Sequence, residues 1–202
     1  MKNEQGKTYT TVAEVREAVK DRGELAVTLD YTSYQAEFGS QGRALIETEK
    51  GNIAELGKFL ETSPPLQHLI IKPGKFSRIF AYHLADALKE NKTLETLHVA
   101  PPYAEGQPGF NYSITDDEAK GLAEALTENK ALTKIRFYGE NRISILGAEA
   151  LVKAVKDNSG LQEAKFFSGF SSVTGADSEM IMLNYQLSKM LAERSGVQAR
   201  AH

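Results

Sequence analysis

The chain reads as an α/β protein: a short curved solenoid with parallel strands on its concave side and helices on its convex side. Three observations predict this. First, a sixteen-residue pattern is written four times, as "LGKFLETSPPLQHLII" at 56–71, "LADALKENKTLETLHV" at 84–99, "LAEALTENKALTKIRF" at 122–137 and "LVKAVKDNSGLQEAKF" at 151–166. Second, the copies start at 56, 84, 122 and 151, so they lie 28, 38 and 29 residues apart. A period near 28–29 with one insertion of about ten residues is a signature of repeat architecture. Third, every copy changes its apolar spacing halfway, from the helical interval to alternation.

The elements follow in order. A fainter fifth copy, "VREAVKDRGELAVTLD", begins at 15. Thr11 and Glu14 form a capping box for its helix. Its strand register is ambiguous: Leu25 or Ala26 could open it, and Leu29 with Tyr31 favours Ala26. In the clearer copies Leu84, Ala85 and Leu88, and again Leu122, Ala123 and Leu126, share one helix face. Asn91, Asn129 and Asn158 stand where those helices must stop, and Asn tolerates the left-handed conformation that closes a helix. Ser63 with Pro64–Pro65 punctuates the second copy instead. Each copy then reads L-x-x-L-x-L: Leu66, Leu69, Ile71; Leu94, Leu97, Val99; Leu132, Ile135, Phe137; Leu161, Ala164, Phe166. Period-two alternation makes these short strands. A unit this small cannot bury its own apolar face, whereas stacked neighbours can. Thr115 with Glu118 caps another helix, and Thr174 with Asp177 is a weaker version. In the last segment Met180, Leu183, Leu187 and Leu191 share one side of a helix with no strand after it, as a terminal cap requires. The expected organisation is one domain over 10–196. It has a capping repeat with a long connection at 10–52, a four-strand array at 53–167 with an insertion at 100–117, and a capping helix at 174–196.

Composition narrows the function. The chain is 41% hydrophobic, enough for a core, and has no cysteine, which removes disulfides, thiolate metal sites and Cys nucleophiles. A net charge of −3 gives no general attraction to nucleic acid or anionic lipid, although 24 Lys and Arg can still build a local basic patch. "MKNEQGKTYTTVAEV" lacks the apolar core of a secretory signal, and no run of about eighteen apolar residues exists. The expected setting is therefore cytoplasmic, without membrane insertion. Delivery into another cell by a route that reads no signal stays open.

These hexads, together with the helix endings "LADALKENKTL" and "LAEALTENKAL", resemble the leucine-rich repeat, specifically its ribonuclease-inhibitor-like class with long helical units. The resemblance covers roughly 12–170, and strictly 53–167. The short array also looks like the capped repeat domains of tropomodulin-type proteins and of some bacterial effectors. One departure is clear. The family carries Asn three residues after the last strand leucine, and here those places hold Gly74, Pro102, Glu140 and Gly169. The loops must satisfy their backbone differently.

Strand alternation sends one set of side chains to the concave face. These are His68, Ile70, Lys72; Thr96, His98, Ala100; Lys134, Arg136, Tyr138; and Glu163, Lys165, Phe167, with Thr28, Asp30 and Thr32 from the first copy. Across the stack, Asp30, Ile70, His98, Arg136 and Lys165 form one expected column, and Thr32, Lys72, Ala100, Tyr138 and Phe167 the next. A basic centre beside two aromatics suits a protein surface or an acidic peptide. The alternative is a solvated sheet face, with contacts made by the convex helices or the insertion. "APPYAEGQPGFNYSITDD" carries Tyr103, Phe110 and Tyr112, which either fold back over the sheet end or meet a partner. The connection at 31–52 carries Tyr34 and Phe38.

Catalytic readings fare worse. His68 and His98 lie one copy apart with no third ligand on neighbouring strands, so no metal or cofactor is expected. "KPGKFSR" at 72–78 is not a phosphate-cradling loop. Asp116–Asp117 suits a helix start. The expectation is a monomeric, non-enzymatic module with an unidentified protein partner. Two alternatives are kept. The resemblance allows a GTPase activator using Arg78 or Arg142 in a strand-to-helix loop. Lys134, Arg136 and Lys165 allow nucleic-acid binding, against the acidic balance of the whole chain.

Overall fold

The computed structural model describes residues 6–30, 53–72, 78–99, 114–138, 143–167 and 175–194, with side chains except at Tyr138, Phe167 and 175–181. Helix and strand alternate as the change of period requires. The order is β1 (Lys7–Tyr9), α1 (Val12–Arg22), β2 (Ala26–Asp30), α2 (53–61), β3 (His68–Lys72), α3 (Arg78–Glu90), β4 (Thr96–Val99), α4 (Asp116–Glu128), β5 (Lys134–Tyr138), α5 (Ile145–Asp157), β6 (Glu163–Phe167) and α6 (Gly175–Arg194). Among the described residues the strands form one six-stranded sheet in chain order, parallel at every pairing. This is a curved solenoid of leucine-rich-repeat type.

Register is continuous along the stack. Val27, Leu69, Leu97, Ile135 and Ala164 lie side by side, and Leu29, Ile71, Val99, Phe137 and Phe166 form the next row. None is more than 2% exposed, and all join one core cluster with the helix residues Leu84, Leu88, Leu122, Leu126, Leu151 and Val155. Each buried leucine stabilises by roughly 1.5–3 kcal/mol. A slip of one residue would turn a whole row to solvent, so the rows lock the register.

The first copy departs from the expected register. Ala26 stands opposite His68, not Leu66, so its spine residues are Val27 and Leu29. Leu25 is 46% exposed, and its carbonyl accepts from the N–H groups of Gln67 and His68. It belongs to the turn, where main-chain pairing decides position. An additional strand, β1, precedes the expected first element. Lys7 Nζ and Tyr9 Oη bind Glu24 at 3.0 and 2.7 Å, fixing this short polar strand on the edge of the sheet.

Helix ends reveal a second spine. The three asparagines do not adopt the left-handed conformation. Asn129 and Asn158 are extended, with φ −70° and −94°, and the one non-glycine with positive φ among the described residues is Ser63 at 49°. The amides act through their side chains instead. Asn129 Nδ2 donates to the carbonyls of Leu88 and Asn91 in the preceding unit, while its Oδ1 accepts from Ala131 and Leu132 N–H in the following turn. Asn158 repeats this one unit on, to Leu126, Asn129, Gly160 and Leu161. Asn91 does the same toward Leu60, Thr93 and Leu94. All three are fully buried.

The ladder ends on α6. The Arg194 guanidinium donates to the carbonyls of Asn158, Leu161, Val155 and Lys156, all at 3.2 Å or less. It takes the place that the next unit's asparagine would fill. Asn184 closes the strand edge in a similar way: its Oδ1 accepts from Phe166 N–H and its Nδ2 donates to Phe166 C=O. Leu183, Leu187 and Leu191 are buried beneath the same helix.

Candidate functional site

Two rows of side chains run across the concave face. Ala26, His68, Thr96, Lys134 and Glu163 form the first, and Thr28, Ile70, His98, Arg136 and Lys165 the second. Thr28, not Asp30, therefore heads the column of Arg136. Asp30 moves one row on, opposite Lys72, where Nζ and Oδ2 are 3.3 Å apart. The slip of the first strand accounts for both changes. Tyr138 and Phe167 are register partners at the end of β5 and β6.

The face divides along its length. Over β2 to β4 these two rows hold no Lys, Arg, Asp or Glu: Ala26, Thr28, His68, Ile70, Thr96 and His98, with His68 Nδ1 and His98 Nε2 sealed from solvent. Over β5 and β6 it is ionic. The expected basic centre is not a bare one, because Glu163 sits inside it. Arg136 donates Nε and a terminal nitrogen to the two carboxylate oxygens of Glu163 at 2.8 and 2.9 Å, and Lys165 Nζ lies 3.0 Å from Oε1. A bidentate pair of this kind fixes orientation as well as energy. The Arg136 hydrogen bonds, with help from Lys165, outweigh burial and draw the Glu163 carboxyl down to about 2 from the usual 4.5. These rows still carry Lys134, Arg136 and Lys165 against one carboxylate.

A pH dependence follows from Glu163. Its folded-state pKa is depressed, so its stabilisation is complete above about 4.5 and is lost as pH falls toward about 2. Glu163→Gln is expected to lower stability at neutral pH, and urea titrations of variant and parent should converge as pH drops through that window. A gap that stays constant down to pH 2 would mean that Glu163 is not the group responsible.

The starts of α4 and α5 are stapled to each other. Asp116 at the start of α4 accepts from Ser144 N–H, Ser144 Oγ and Gly147 N–H at the start of α5. Burial raises its pKa, but these hydrogen bonds win and hold it below the ordinary value. Gly147 is required there, since a Cβ would lie 2.6 Å from Asp116 Oδ1. Asp117 pairs with Arg78 at 3.0 Å. Arg78 was expected in a loop, yet it opens α3 and also donates to Tyr82 Oη from the next turn. First-turn placement lets the arginine reach i+4. Among the described residues there is no cluster of three or more His, Asp or Glu able to hold a metal. No described helix is long and apolar enough to cross a membrane. Arg142, Tyr103, Phe110, Tyr112, Tyr34 and Phe38 lie outside the described residues, as do the side chains of Tyr138 and Phe167.

No protein-family model matches this chain, and no curated protein matches it significantly. Solved structures do. The actin-binding site 2 of leiomodin-1 superposes with a TM-score of 0.53 at 18% identity, covering 92% of this chain and 96% of that one. The C-terminal domain of tropomodulin from Caenorhabditis elegans gives 0.53 at 13% identity, over 92% of this chain and 98% of that one. At such identities the likeness is one of fold, and it extends over nearly the whole array. The tropomodulin-type resemblance carried by the repeat spacing thus holds at the level of architecture.

Proposed function

We propose that the chain is a non-enzymatic protein-interaction module whose concave face receives a protein surface or an acidic peptide. The observation that supports this reading is the pair of register-locked rows, in which Arg136 is held bidentate before any partner arrives. Side chains fixed by a sheet lose little freedom on docking. His68, Ile70, Lys72, His98, Lys134, Arg136 and Lys165 would form the contact surface, with Tyr138 and Phe167 as anchors. Tyr103, Phe110 and Tyr112 would add a rim. The surplus of cations would steer an acidic partner and select its charge. We read the units as ribonuclease-inhibitor-like, the array as one domain over 10–196, and the protein as a cytoplasmic monomer. Actin, named for the leiomodin-1 site that shares the fold, is the first partner to test.

The test is crosslinking capture from native lysate, with actin co-sedimentation beside it. Arg136→Ala combined with Tyr138→Ala is expected to weaken capture by about 100-fold, as loss of two central anchors does, with circular dichroism unchanged. Retained affinity in a folded double variant would move binding to the convex helices or the insertion.

A further inference from the structure

One square of the concave face has no part in the ion pairs around it. His68 and Ile70 on β3 lie beside Thr96 and His98 on β4, so the two imidazoles occupy one diagonal and Ile70 with Thr96 the other. Strand spacing and a two-residue rise set the Cα atoms of the two histidines roughly 8 Å apart. All four side chains are half-buried, and His68 Nδ1 and His98 Nε2 are closed to solvent. Ala26 and Thr28 extend the same surface onto β2. Closed ion pairs flank it. Lys72 is held by Asp30 at 3.3 Å on one side. On the other, Arg136 forks onto Glu163 at 2.8 and 2.9 Å, and Lys165 joins the same carboxylate at 3.0 Å. Lys134, beside Thr96, is engaged as well.

We propose that this square seats one uncharged aromatic side chain, tyrosine or phenylalanine, of a protein partner. The inference rests on the concave-face reading and names the class of residue that anchors there. A ring set above the centre of the square is within the roughly 4.5–7 Å at which aromatic pairs attract, and it meets both imidazoles at once. Ile70 and Thr96 form the floor beneath it. The flanking cations are committed to Asp30 and Glu163, so a partner carboxylate would have to break a made pair. Inside the square it would lose hydration and meet no Lys or Arg. An aromatic ring carries neither cost. A centre free of Lys, Arg, Asp and Glu inside a border of ion pairs matches the layout of a binding hot spot, where the border excludes water and the centre holds the energy. The sheet fixes the four Cα positions, so the seat exists before a partner arrives.

The experiment uses the full chain with labelled isoleucine methyl groups, at about pH 8, above the ordinary range of imidazole titration. Three probes are titrated by NMR: N-acetyl-tyrosinamide, N-acetyl-leucinamide and the α-amide of N-acetyl-aspartic acid. For the tyrosine probe a saturable shift of the Ile70 methyl is expected, with the amides of Thr28, Thr96 and His98 following. The leucine probe should bind about fivefold more weakly, because it lacks the aromatic contribution. The aspartate probe should be weaker by about tenfold or more. Ile70→Ser removes part of the floor and His98→Thr removes one wall. Each should weaken the tyrosine probe by about fivefold or more, with circular dichroism unchanged. The comparison of probes on the parent needs neither variant. An aspartate probe that binds as well as the tyrosine one would make the cations the site and overturn the proposal. So would equal binding of the leucine probe, shifts that never saturate or that centre elsewhere, or folded variants that bind as well as the parent. Failure of the tyrosine probe, while Arg136→Ala with Tyr138→Ala still loses capture from lysate, would remove this anchor and leave the concave-face reading standing.

Discussion

Asn129→Ala is expected to destabilise the fold by about 3–5 kcal/mol, read as a lower urea midpoint at unchanged slope. The size follows from counting buried partners. The amide donates to Leu88 and Asn91 at 2.6 and 2.9 Å and accepts from Ala131 and Leu132 at 3.0 and 2.7 Å. The residue is fully buried, so water cannot replace the side chain where it is removed. Truncation strands main-chain groups of two successive units, each at roughly 1–3 kcal/mol of desolvation. Asn129→Asp keeps the acceptor, loses both donors and buries a charge, so it should not rescue. Lys130→Ala next door is exposed and should stay within about 0.5 kcal/mol. A loss below about 1 kcal/mol for Asn129→Ala would mean that the ladder is decorative.

That ladder also shows where reading the sequence succeeds and where it stops. Apolar rows were legible because burial selects residue type at a fixed period: Leu69, Leu97 and Ile135 could be aligned by eye, and they are neighbours in space. The position of the asparagines was equally legible. Their mechanism was not, because left-handed capping and side-chain capping both place Asn at a helix end. Only the backbone φ separates them, and it assigns the left-handed role to Ser63 and Gly23. A signal was nevertheless present. Asn recurs at 91, 129 and 158, at the same point of successive copies, whereas a left-handed cap would favour Gly. Recurrence at a stack position implies contact between copies.

The concave face was legible in its membership and not in its electrostatics. Alternation alone sends His68, Ile70, Lys134, Arg136, Glu163 and Lys165 to one side, and they are there. Pairing depends on diagonal neighbours, which a list of facing residues does not contain. Glu163 lies directly opposite Lys134 but binds Arg136 and Lys165. First-strand register failed for a related reason. "ELAVTLD" offers alternating apolar residues in more than one frame, and β2 is settled by main-chain pairing to its neighbours. Arg194 was unpredictable, because nothing local marks an exposed arginine as the stand-in for a missing repeat.

Phe137→Ala should remove about 3–5 kcal/mol, the usual loss for a buried ring in a tight core, and it should do so unevenly along the array. Phe137 is 1% exposed and stacks on Phe166, with centroids 5.8 Å apart and planes 8° from parallel. That stack joins β5 to the last strand, against which α6 packs. In an array where each unit touches only its neighbours, an interface lost near one end loosens that end first. Hydrogen exchange should therefore show amides of β6 and α6 opening at lower free energy than those of β3, whose direct neighbours β2 and β4 are unchanged. Phe137→Leu keeps most of the volume and should lose only about 1.5 kcal/mol. Equal loss of protection from β2 to α6 would show that the array unfolds as one indivisible unit. Stability would then not pass from neighbour to neighbour, and α6 could not be treated as an end cap acting on the last unit alone.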